Sequence, residues 1–190
     1  MDFADTIARV SNSIAITGLL TAGGCALIMA FVRVRRSEAM PPPLALVAGF
    51  GLITLALDAM LGWHQSAGAW LDDQGFEAPG AINNTDDLVM LAYVAVAGLV
   101  LVATLPILAR SPRFLGALLC AAAVIAVAEA FDAFAPAGSW MQHAEGPLEA
   151  AGAIILAIAF ALEARRNEPR PLVGMRLEQP RMRSHASIPR

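Results

Sequence analysis

The chain has 190 residues, 57% of them hydrophobic and 15% charged, with a formal net charge of −3 and a mean hydropathy of +0.61. Soluble domains carry about 25% charged residues, so this composition belongs to an integral membrane protein. One crossing of a hydrocarbon layer about 30 Å thick takes roughly 20 apolar residues, which leaves room for about five or six spans and excludes a large transporter built from two long repeats.

The first predicted span runs from Ser13 to Val32. Asp2 and Asp5 precede it and Arg33, Arg35 and Arg36 follow it, the reverse of a cleavable signal peptide, so it reads as a stop-transfer helix with its N-terminus outside. Gly18, Ala22, Ala26 and Ala30 recur every four positions along it, a small-residue face that lets another helix approach closely. The link from Ser37 to Pro43 carries Pro41-Pro42-Pro43, which cannot continue a helix because proline lacks the backbone donor. The second span, Leu44 to Trp63, is therefore a separate neighbour of the first. The stretch from His64 to Asp87 contains Gly68, Gly75, Pro79 and Gly80 with Asp72, Asp73 and Glu77, and reads as a solvated outer loop with a short interfacial helix around Ala69.

Asn84-Thr85-Asp86-Asp87 supplies N-cap chemistry for the third span, Leu88 to Ala109. Arg110 and Arg113 occupy the next link. The fourth span, Phe114 to Ala135, repeats the small-residue stripe at Ala122, Ala126 and Ala130. The fifth, Pro147 to Leu162, places its proline in the first turn with acids around it, which suits a helix N-terminus. From Arg165 to Arg190 the chain is rich in arginine and proline and too poor in apolar surface to form a core, so disorder is expected. Such a tail is drawn to anionic lipid at about 1 kcal/mol per nearby charge, and nucleic acid is not expected as a partner. Residues 1–164 thus form a single membrane domain and 165–190 a basic cytoplasmic tail.

The expected fold is an all-α bundle of five transmembrane helices. Strands of a closed barrel would show period-two alternation over about ten residues, and none is present. Positive charge gathers beside the cytoplasmic ends of helices. With the N-terminus outside (periplasmic) and the C-terminus cytoplasmic, every arginine but Arg9 falls inside, and the only acids inside are Glu38, Glu163, Glu168 and Glu178. The expected location is a bacterial inner membrane, as a multi-pass protein. Cys25 and Cys120 lie in apolar runs without any metal or redox spacing, and read as packing residues.

The feature that membrane packing leaves unexplained is a set of acids in the outer half. Asp58 stands five residues before the end of the second span and Glu129 six before the end of the fourth. At about 1.5 Å per residue both lie roughly 8 to 9 Å below the interface. Asp132 follows Glu129 at i+3, and Glu149 follows Glu145 at i+4, so each helix aims two carboxylates one way. His64 and His143 flank the helix ends. A carboxylate in a bilayer costs about 2.5 kcal/mol or more on insertion scales and ordinarily finds a partner. The chain contains no lysine, and Arg9 is the one outer arginine. These acids must therefore be protonated, hydrated, paired with histidine or neutralised by a bound cation.

Read as a metal site, the candidates are Asp58, His64, Glu129, Asp132, His143 and Glu149. Carboxylate with imidazole suits Zn, Mn or Fe; carboxylate alone suits Ca or Mg. Such an ion would be structural or would activate a bound water. The plainer reading leaves Asp132, Glu145 and Glu149 as hydrated helix-end acids, Asp86 and Asp87 as caps, and His143 as an interfacial loop residue. On that reading His64 anchors the interface beside Trp63. There is no P-loop, GxGxxG, GxSxG or HExxH, and no pair of histidines in one span, so no nucleotide, flavin or haem is expected. The expected function is a small membrane protein whose outer carboxylate and histidine cluster binds a divalent cation, with catalysis left open. The alternatives are a non-catalytic accessory subunit among other membrane subunits and a small proton- or cation-coupled carrier. The carrier has the least support, because the sequence shows neither a broken helix pair nor a repeat.

Overall fold

The computed structural model describes residues 3–31, 40–80, 82, 84–134, 136 and 139–166, without the side chains of 3–5 and 142. The Arg33–Arg36 link and the tail beyond Arg166, with the disorder expected of it, lie outside the described residues. The elements are α1 (Phe3–Phe31), α2 (Pro42–Leu61), α3 (Trp63–Asp73), α4 (Thr85–Leu108), α5 (Pro112–Phe134) and α6 (Trp140–Arg166). Among the described residues there is no strand. Five helices, all but α3, are long and apolar enough to cross a membrane, which fits a helical membrane bundle.

Several boundaries differ from the sequence-based expectation. α1 begins ten residues before Ser13, and its 29 residues extend to about 43 Å, longer than the hydrocarbon layer is thick. Pro42 and Pro43 belong to α2 rather than to the link before it, because the first turn of a helix does not need their missing N–H groups. α2 stops at Leu61, since Gly62 turns left-handed at φ 64° and donates its N–H to the Asp58 carbonyl at 2.8 Å. Trp63 therefore opens α3 instead of closing α2. The interfacial helix expected around Ala69 is present as α3.

α6 also starts early, at Trp140, and carries Pro147 two turns inside rather than in its first turn. The polar residues before Pro147 read as loop in isolation. Trp140 holds this extension against α5 through an edge-to-face contact with Phe131, ring centroids 5.8 Å apart.

α1 is the hub of the bundle. It runs antiparallel to α2 and parallel to α6, α6 packs on α5, and α5 touches α4. No Cα of α2 comes within 8 Å of one in α4, and α3 packs against the start of α4 at the end where α2 stops. The core lies toward the arginine-bearing ends of the helices, where Phe114 of α5 meets Phe160 of α6 edge-to-face at 5.3 Å beside buried Met29 and Leu108. On α4, Val96, Leu99 and Val102 remain exposed, as a lipid-facing helix requires.

The two small-residue stripes behave differently. On α1 the stripe is a packing face: Ala22 and Ala26 are fully buried, and a Cβ built on Gly18 would stand 2.8 Å from the Ala153 Cβ and 2.9 Å from its carbonyl carbon. On α5, Ala122 and Ala126 are exposed, and the buried face is Leu118, Ala121 and Ala128 instead. Replacing Gly18 by Leu is expected to force α1 and α6 apart at a cost of about 1–3 kcal/mol. Loss of resistance to SDS-induced unfolding, compared with the exposed control Ala122→Leu, measures this.

Candidate functional site

The turn at Gly62 builds the first part of the site. Gly62 is the N-cap of α3 but has no side chain to offer the orphan N–H groups of that helix. Asp58, one turn earlier on α2, fills the role from outside. Its Oδ1 accepts the backbone N–H of His64 at 2.8 Å, and its Oδ2 lies 2.8 Å from His64 Nδ1. Asp58 is only 2% exposed. A carboxylate at a helix N-terminus also meets the positive end of the helix dipole. Both oxygens are thus committed to the start of α3.

The observed boundaries shorten the distances from Asp58 and Glu129 to the ends of their helices. Asp58 is three residues from the end of α2 and Glu129 five from the end of α5, or about 4.5 and 7.5 Å along the helix axes.

α3 is fastened at its other end to α4. Thr85 shares its single hydroxyl proton between Asp72 Oδ1 (2.9 Å) and the Gly68 carbonyl (3.2 Å). Gly68 lies so close that a Cβ built on it would stand 2.6 Å from the Asp86 nitrogen. The expected cap of this helix is present: the Asn84 N–H donates to Asp87 Oδ2 at 3.0 Å, the reciprocal half of a capping box.

Asp87 has a second role that the cap reading conceals. It is buried, and its carboxyl reaches that of Asp132 on α5. Asp132 in turn reaches Glu145 on α6. One turn deeper, buried Glu129 of α5 is within hydrogen-bonding reach of Glu149 of α6, and Glu149 is near enough to His64 for their charges to interact. The antiparallel packing of α5 and α6 makes this pattern: an i,i+3 pair on one helix faces an i,i+4 pair on the other, giving two carboxyl–carboxyl rungs. Every helix except α1 contributes to the network.

Of the sequence-based candidates, the fold brings together Asp58, His64, Glu129, Asp132 and Glu149. His143 is exposed on the first turn of α6, and among the described residues no hydrogen bond or ion pair joins it to the others. Asp87 and Glu145 join the network although the sequence reading left both out of the metal-ligand set. The signal for Glu145 was its i,i+4 spacing to Glu149. Asp87 gave no signal beyond its position as a cap. Among the described residues no three His, Cys, Asp or Glu side chains are arranged to hold a metal ion. A pocket of about 770 Å³ opens beside α3, lined by Gln65, Asp72, Phe76, Glu77, Thr85 and Asp86, and no carboxyl of the α5/α6 rungs lines it. Trp63 and Trp70, seven residues apart on α3, are both exposed, as is Trp140, an arrangement suited to a membrane–water interface.

Compared with protein-family models, curated proteins and solved structures, the chain finds no match in any of the three.

Proposed function

We propose that the carboxyl network is a cation-binding site in a small multi-pass membrane protein, holding protons when empty and exchanging them for a divalent cation. The supporting observation is the meeting of Asp87, Glu129, Asp132, Glu145 and Glu149 from three helices beside His64 and Asp58, with His64 the one side chain of the set able to carry positive charge. A hydrogen bond between two carboxyl groups contains a proton, so an ion that takes both as ligands must displace it. The paired rungs are the empty form on this reading, and ligation requires the carboxyls to rotate toward a common centre. An all-carboxylate set selects Ca or Mg; recruitment of His64 shifts the preference to Mn, Fe or Zn.

The same reading puts the network at the periplasmic side of a bacterial inner membrane. Its support is the segregation of charge: Arg110, Arg113, Arg165 and Arg166 lie at the helix ends opposite the acids. A second reading, an accessory subunit of a larger membrane complex, draws on α4, which touches the other spanning helices only along α5 and leaves its remaining flank for lipid or another subunit.

Elemental analysis of the purified protein, combined with proton release on titrating Ca, Mn or Zn into a weakly buffered sample, tests the exchange. Near-stoichiometric metal with net proton release is expected in the wild type, and both should be lost in Glu129→Gln, which keeps the side-chain shape but has no acidic proton to give up. Wild-type protein that neither retains metal nor releases protons overturns the proposal.

A further inference from the structure

We infer that the face between α1 and α6 binds one anionic phospholipid, with its phosphate on Arg9 and an acyl chain in the groove below. A groove of about 540 Å³ runs between these two helices, with Arg9 at one end and Thr21 and Ile158 toward the other. From Arg9 to Thr21 is twelve residues, about 18 Å of helix, against about 15 Å for one leaflet of the hydrocarbon layer. The groove is therefore the length of one lipid tail and lies in the leaflet at the acid-bearing end, since Ser11 of α1 sits opposite Gly146 of α6.

The chemistry of its wall suits hydrocarbon. Val10, Ile14, Ile154 and Ile158 are exposed along it, and Gly18 forms its floor. The hydroxyls that also line it are already satisfied: Ser13, Thr17 and Thr21 donate to the carbonyls of Arg9, Ser13 and Thr17 at 2.9, 2.8 and 2.7 Å. No free donor remains there to repel an alkyl chain. The end of the groove is the opposite in character. Arg9 is exposed, and among the described side chains no carboxylate lies within 4.0 Å of its guanidinium. A guanidinium fork matches phosphate in two parallel hydrogen bonds. Charge complementarity thus selects a phosphate-bearing anionic head with its tail in the groove. A second copy of the chain packed here about a twofold axis would instead set Arg9 against Arg9.

The test uses the full-length protein in nanodiscs of phosphatidylcholine containing either photoreactive phosphatidylglycerol or photoreactive phosphatidylcholine, the label on the acyl chain. Crosslinks are mapped by peptide mass spectrometry, which separates this groove from the arginine-rich tail. The expected result is labelling of the Val10–Thr21 and Ile154–Ile158 segments several-fold stronger with the glycerol lipid. Arg9→Gln should abolish that preference, and Ile158→Trp, which fills the groove and leaves Arg9 in place, should lower labelling by both lipids. Equal labelling by the two lipids, labelling spread evenly over all spanning helices, a preference that survives Arg9→Gln, or a protein–protein crosslink across this face in place of lipid would each overturn the inference.

Discussion

Asp58→Ala is expected to lower stability by about 3 kcal/mol, combining the loss of a helix cap with the orphaning of a backbone N–H and an imidazole nitrogen under α3. Asp58→Asn is expected to lose about 1 kcal/mol or less. The amide oxygen still accepts the His64 N–H, and the amide nitrogen can donate to Nδ1 once the ring adopts its other neutral tautomer. Thermal unfolding of the two variants in detergent, beside the wild type, measures the difference. A large gap between them identifies Asp58 as the cap of α3, acting through shape and hydrogen bonding. Equal, large losses would mean that its negative charge is what the fold requires, and would return Asp58 to the cation-binding set.

Gly68→Ala carries the second large effect, and it should be local. The added Cβ would meet the backbone nitrogen and Cα of Asp86 at 2.6 and 2.8 Å, and a main chain cannot swing aside as a side chain can. α3 must then lift from α4, which breaks the shared hydrogen bond of Thr85. Overpacking accounts for about 1–3 kcal/mol, with about 1 kcal/mol more for the hydrogen bond of the Thr85 hydroxyl. Hydrogen exchange should show the amides of Trp63–Asp73 opening while those of α1 and α6 keep their protection. Unchanged protection in α3 would show that the close approach is not maintained in solution.

Most of the fold was legible because hydropathy and length report directly on crossing a membrane, and all five spans differ from expectation at their ends. The errors cluster where tertiary contact overrides local signals. Trp140 to Gly146 look like loop until Trp140 finds Phe131, and Pro147 looks like a helix start because nothing in the sequence shows the two turns before it. The site was legible by halves. Spacing revealed that Glu129 with Asp132, and Glu145 with Glu149, each share a helix face. It could not reveal that the two faces meet rung to rung, which depends on the register of α5 against α6. Asp87 was hidden by a correct local explanation, since a residue can cap its own helix and still reach across to another. Asp58 is buried, and the sequence did not show that it also caps α3 across the Gly62 turn.

The close packing of α6 on α1 also governs how the molecule comes into being. During synthesis α1 meets one of its two main neighbours, α2, directly after it, but the surface around Gly18 stays without its partner on α6 until Ala153 has been made and inserted. Until then that small-residue face of α1 is open to lipid and to the helices of other proteins, which associate through faces of this kind. Joining α6 to α1, 135 residues apart at Gly18 and Ala153, is thus a late step in assembling these helices, and it shields the small-residue face.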